Sequence, residues 1–165
     1  MYKIGDTVVY GANGVCEIRD IREEKFAGQS AMYYILSSEN SQTIYVPVEN
    51  EALTAKMKRL LSKGEALEFV RSFPKIKPVE WVNEGRKRNE LFKSIILDAD
   101  RESLVGVIKA IYEKRMESAS QGRKLYLADE NAFKRAERML YGELSVAFGI
   151  PYDEVAPFIE KELDA

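Results

Sequence analysis

Residues 79–88 (V-E-W-V-N-E-G-R-K-R) set the only tryptophan of this chain beside a run of cations. Arg86, Lys87 and Arg88 lie just beyond Trp81, and no apolar side chain occurs from Asn83 to Glu90. The apolar stripe resumes only at Leu91, Phe92 and Ile95. An indole detached from its helix's stripe and flanked by cations is equipped as an aromatic wedge. The ring would enter between base steps while the charges hold phosphates. A tryptophan buried where elements meet looks the same in sequence, because large aromatics are usually well buried.

Other chemistries are poorly supplied. The chain of 165 residues has no histidine and one cysteine, Cys16. That removes His-dependent triads, the common zinc sites, thiolate-rich metal centres and any intrachain disulfide. Neither G-x-x-x-x-G-K-[ST] nor G-x-G-x-x-G occurs, so the standard phosphate-cradling loops are missing. No enzymatic activity, metal or cofactor is expected. Asp98, Asp100 and Glu102 faintly imitate a calcium loop, but Ser103 and Lys109 stand where a glycine and a bidentate glutamate belong. Helix capping explains these acids better, and also better than a carboxylate-based hydrolase would. Acids two residues apart at a helix start face different directions.

Charge is distributed unevenly. Residues 1–55 carry four Lys/Arg against eight Asp/Glu, 56–138 carry twenty against thirteen, and 139–165 carry one against six. Only the middle of the chain can attract phosphate. No apolar run is long enough to span a bilayer, and the first residues, M-Y-K-I-G-D, lack a signal peptide's apolar region. A soluble, cytoplasmic protein is the expectation.

Two kinds of element must position these groups. Up to Val48 the pattern is strands and turns. Thr7-Val8-Val9-Tyr10, the alternating Val15-Cys16-Glu17-Ile18-Arg19, Met32-Tyr33-Tyr34-Ile35-Leu36 and Thr43-Ile44-Tyr45-Val46 are separated by Gly- and Asn-bearing turns. Such spacing predicts a small barrel or curled sheet whose last strand, closed by Pro47, lies at an edge. A partner could add its own strand there, or the proline could simply protect the edge.

From Arg59 the period becomes helical. Ser62 and Glu65 form a capping-box pattern, and Pro74 ends the first helix. A second helix is expected over 84–97. A third follows Asp100, with Leu104, Val107, Ile108, Ile111 and Tyr112 inward. After a polar loop over 118–126, Asp129 should cap the longest helix, whose Phe133, Ala136, Leu140 and Leu144 share a face and whose Gly142 permits a close crossing. Gly149-Ile150-Pro151 precedes a short last helix whose start Pro157 leaves open. Five amphipathic helices with short links make a compact bundle.

The residues Gly5-Asp6-Thr7-Val8-Val9-Tyr10, Asn13-Gly14-Val15, Ile18, Tyr34-Ile35-Leu36 and Ile44-Tyr45-Val46-Pro47-Val48-Glu49-Asn50 resemble the CarD/CdnL family of bacterial transcription regulators. The same stretch is similar to the polymerase-interacting domain of transcription-repair coupling factors, a Tudor-like barrel. The expected fold is therefore α+β in two domains. A small Tudor-like β-barrel, the polymerase-interacting domain, spans 1–58, and an all-α DNA-binding bundle of about five helices spans 59–165.

The resemblance implies that the barrel grips the β subunit of RNA polymerase by its edge. The edge corresponds to Thr43, Ile44, Tyr45, Val46 and Pro47, and a neighbouring hairpin near 24–26 contributes Lys25. It further implies that Trp81 enters the minor groove at the upstream edge of the melted promoter, with Arg86 on the same helix. Lys87, Arg88, Lys124, Lys134, Arg135 and Arg138 are the other expected DNA contacts. Some relatives carry arginine near Glu24 and at Tyr45, and contacts made by those arginines do not transfer. The expected protein is a monomer that binds promoter DNA without sequence specificity and joins the nucleoid through polymerase. The competing reading is a polymerase-binding adaptor whose helical half recruits another protein while Trp81 sits in a core.

Overall fold

β-Branched and aromatic residues alternate with polar ones through the first third of the chain, and they form five antiparallel strands. These are β1 (Thr7–Tyr10), β2 (Val15–Phe26), β3 (Gln29–Ser38), β4 (Thr43–Pro47) and β5 (Met57–Arg59), in the order β4-β3-β2-β1-β5. The computed structural model describes residues 1–164 and divides into a sheet unit, Met1–Leu60, and a helical unit that begins at Leu61.

Inward residues of every strand meet in one core: Val8, Tyr10, Cys16, Ile18, Tyr34, Leu36, Val46 and Met57. Each large aliphatic chain fully buried there stabilises the unit by about 1.5–3 kcal/mol. The register of β2 against β3 shifts between Ile18 and Asp20, a bulge that bends the sheet around this core. Cys16 is sealed inside. Burial, assisted by the charge of Glu39, pushes its thiol up to about 11 and leaves it unreactive at neutral pH.

Strands β2 and β3 run longer than their alternation predicts and close on the two-residue turn Ala27-Gly28, with Phe26 opposite Gln29. Both turn residues have positive φ (51° and 80°), the pattern of the tight turn that suits hairpin twist. Alanine in that region carries roughly 1–2 kcal/mol of steric strain. Ala27→Gly should therefore stabilise the sheet unit by about 0.5–1 kcal/mol. Urea unfolding checks this, and a loss of stability would contradict it.

Two elements escaped the sequence reading. Helix α1 (Glu51–Thr54) is too short for a periodic signal, but Asn50 caps it by accepting from Leu53 N–H at 3.1 Å. β5 pairs along β1, Val8 opposite Arg59, so the sheet unit continues past the expected boundary at residue 58.

The helical unit contains α2 (Lys63–Ser72), α3 (Gly85–Asp98), α4 (Arg101–Ser120), α5 (Leu127–Phe148) and α6 (Tyr152–Asp164). Ser62 and Glu65 form the reciprocal capping box at the start of α2. Asp100 caps α4 by accepting from Ser103 N–H, as capping rather than calcium chemistry requires. Helix α5 touches each of the other four, and its Leu140, Leu144 and Phe148 meet Ala66, Val70, Phe73, Val105, Val155 and Ile159. Among the described residues no helix is long and apolar enough to cross a membrane.

Several helical expectations are corrected. Tyr112 points outward, about half exposed, because the inward face of α4 is filled by Leu104, Val105, Val107, Ala110 and Ile111. α4 extends through Ser120, shortening the expected loop. Pro157 lies inside α6 without breaking it, so the helix begins at Tyr152. Gly142 is buried, yet a Cβ there would meet nothing within 4 Å, so no helix crosses at it. The close approach falls at Gly106 instead, where an added Cβ would come within 3.1 Å of Val79 Cγ2 and 3.2 Å of the Lys77 carbonyl oxygen.

Candidate functional site

In the sheet unit, β4 is an edge strand, and its residues split by face. Ile44 and Val46 turn inward; Val46 is completely buried and its side chain cannot touch a partner, while Ile44 is only partly buried. Tyr45 lies on the opposite face and is 40% exposed.

Backbone polarity follows from the ladder. Val48 N–H donates to Met32 C=O at 3.0 Å, which makes Pro47 and Tyr33 a non-hydrogen-bonded pair. By alternation Ile44 and Val46 turn their peptide groups toward β3, while Thr43 and Tyr45 turn theirs toward the free edge. Pro47 gives the edge no donor, since it has no N–H, and its carbonyl already accepts from Asn50 N–H at 3.2 Å.

On the outer face Tyr45 joins Phe26 and Tyr33 in a cluster of edge-on rings, with centroids 5.2–6.3 Å apart. Phe26 at the hairpin tip is 45% exposed. The sequence reading missed Phe26 and Tyr33, because only the β2-β3 and β3-β4 registers bring them beside Tyr45. Lys25, expected in this group, alternates onto the opposite face of the hairpin from Phe26. It does not share the aromatic surface.

In the helical unit, Trp81 lies in the extended connector between α2 and α3, before the first turn of α3. It is not detached from the core stripe. Its ring packs on buried Phe92 with centroids 6.0 Å apart, and the indole is partly exposed. The guanidinium carbon of Arg88 stands 4.4 Å from the ring centroid, and Lys114 Nζ stands 5.5 Å from it.

Arg88 is the chief correction among the expected DNA contacts, because only 4% of it is exposed. Its Nε and Nη2 donate to the two carboxylate oxygens of Asp129 at 2.9 and 2.8 Å, and Nη1 donates to the carbonyls of Val82 (2.8 Å) and Asn83 (3.4 Å). It has no free donor edge for a phosphate. Asp129 correspondingly is not the cap of α5. It sits in the first turn, buried, after Tyr126 in the cap position, where its charge also suits the helix N-terminus.

The connector is pinned at other points. Lys109 donates to the carbonyls of Phe73 and Ile76, and Val79 N–H donates to Gly106 C=O at 3.0 Å.

The remaining expected cations are exposed. Arg86 and Lys87 keep loose surface pairs with Glu90 and Glu84 at 3.8 and 3.4 Å, which are worth little and leave them available. Lys134, Arg135 and Arg138 project from α5, and Lys124 lies in the α4–α5 loop. Arg135 faces Lys93 across a cleft between α3 and α5, with Asn89 and Asn131 on its walls and no carboxylate in its lining. Like charges facing one groove suit a phosphate. Lys93 was missed because one lysine on an amphipathic helix carries no sequence signal.

Taken together, the sheet unit offers a short, partly blocked strand edge beside an aromatic surface. The helical unit offers an indole held against its core, with exposed cations elsewhere on it. Residues 2–61 match the family model described as the CarD-like/TRCF RID domain.

Proposed function

From the premise that residues 2–61 are a CarD-like/TRCF RID domain, an RNA-polymerase-interacting module, we propose that the chain is a transcription regulator that links polymerase to promoter DNA. The sheet unit would bind the polymerase β subunit by strand addition along β4. Thr43 and Tyr45 supply the outward peptide groups, and the Phe26-Tyr33-Tyr45 surface supplies apolar contact. The single observation that carries this reading is the family match falling on the unit whose edge strand ends at Pro47.

The helical unit would contact DNA without reading sequence. Arg86, Lys87, Lys93, Lys124, Lys134, Arg135 and Arg138 would hold phosphates, while Trp81 fills the minor groove beside the melted segment. Because one chain carries both units, docking on polymerase makes DNA contact intramolecular, and weak phosphate contacts then suffice. That fits a chain of net charge −2. The open promoter is favoured only to the extent that the regulator binds it more tightly than the closed one. The protein would act as a cytoplasmic monomer that reaches the nucleoid through polymerase.

One observation favours the adaptor reading: Trp81 rests on Phe92 and Arg88 rather than standing clear of them. Crosslinking of the helical unit to promoter DNA, falling steeply with salt, separates the two, since only the DNA-binding reading predicts it.

Tyr45→Ala combined with Pro47→Ala should weaken polymerase binding at least tenfold while the helical unit stays folded, because a hot-spot aromatic at the centre of an interface contributes about 2 kcal/mol or more. A polymerase pull-down with a melting curve checks this. Undiminished binding would remove β4 from the interface.

A further inference from the structure

We infer that Arg88 is a positioning residue for Trp81, locked by Asp129, and that this latch sets the indole's pose before any partner arrives. The inference rests on reading Trp81 as the DNA contact, but its structural half can be tested apart from that reading.

Three features of Arg88 converge on one job. Its guanidinium lies against the indole at 4.4 Å. Its Nη1 binds the carbonyls of Val82 and Asn83, the two residues that follow Trp81. Its other edge forms a two-bond fork with Asp129, forty-one residues away on α5. One side chain thus ties the ring, the main chain beside it and a distant helix together.

The geometry needs arginine. A planar fork with five donors can satisfy a carboxylate and two carbonyls at once while presenting its flat face to an aromatic ring. Lysine carries the same charge but has neither the fork nor the plane. Without Arg88 the extended connector around Trp81 would keep the Val79–Gly106 bond upstream, and the ring would keep its contacts with Phe92 and the more distant Lys114. A pre-set indole loses less freedom on binding, which is how pre-organisation raises affinity.

Trp81 being the only tryptophan makes the test direct. Arg88→Lys and Asp129→Asn are compared with the unaltered chain, each at a temperature where circular dichroism shows it folded. The expected result is a red-shifted Trp81 emission with readier acrylamide quenching in both. Arg88→Lys removes the fork and the flat stacking face, and Asp129→Asn removes the charge that anchors the fork. A weakening of up to one cation–π contact lowers the docked-to-released ratio of the ring by as much as about thirtyfold. In a promoter-opening assay both variants should lower the open fraction while binding polymerase normally. Unchanged emission and quenching in folded Arg88→Lys and Asp129→Asn would overturn the latch, whatever the assay gives. If emission shifts but Trp81→Ala leaves promoter opening untouched, the latch stands as a structural device and the DNA reading of Trp81 falls. If Trp81→Ala abolishes opening but the latch variants open promoters normally, positioning for function is overturned.

Discussion

Asp129→Ala should cost the protein about 3–5 kcal/mol, because it leaves a buried guanidinium without its counter-charge. Arg88 and Asp129 are 4% and 3% exposed in their side chains, so little solvent screens the loss. Removal of the carboxylate strands two charged donors, at Nε and Nη2, in the interior. Against a typical total stability of about 5–15 kcal/mol, a change of this size makes the helical unit marginal. Guanidinium unfolding followed by Trp81 fluorescence gives the number. Replacing both partners by apolar residues, Arg88→Met with Asp129→Leu, should recover most of the loss, since no unpaired charge remains. A cost below about 1 kcal/mol for Asp129→Ala would mean that water reaches the pair.

Trp81→Ala should retain polymerase binding and lose the effect on promoter opening, lowering the ratio of open to closed complexes by about ten- to a hundredfold. That factor corresponds to the few kcal/mol typical of unstacking a base step. The same change removes the ring contact with Phe92 and the stacking on Arg88, which costs about 1–2 kcal/mol of stability. The assay therefore belongs well below the melting temperature of the variant. Trp81→Phe keeps a ring on Phe92 and serves as the comparison. If polymerase binding and promoter opening fall together, the tryptophan is structural.

Much of this architecture was legible because local rules agree with the tertiary structure. The Ser62–Glu65 capping box, the Asp100 cap and the edge position of Thr43–Pro47 each follow from residues close in sequence. What remained hidden depends on distant partners. Asp129 has the composition of a helix cap, and only its pairing with Arg88 across forty-one residues reveals another role.

One clue was nevertheless present. Arg88, Phe92 and Ile96 recur every four residues and form the buried face of α3. Read that way, Arg88 belongs to the core stripe, and the polar gap after Trp81 ends with it rather than at Leu91. The basic triplet is two surface cations and one interior one. Gly106 is a similar case, since a glycine among apolar helix residues gives no hint of which segment will pass over it. The aromatic trio of the sheet unit needed the hairpin register before its members could be seen as neighbours.

The obstruction at Pro47 bears on how this molecule behaves in a crowded cell. A long open edge invites copies of the same chain to stack into ribbons, and β4 leaves only the peptide groups of two residues uncommitted before its end. Such a stub can be completed by a strand that brings its own anchoring side chains, but it is a poor seed for endless self-templating. Stacking of copies of this chain along β4 is disfavoured for the same reason.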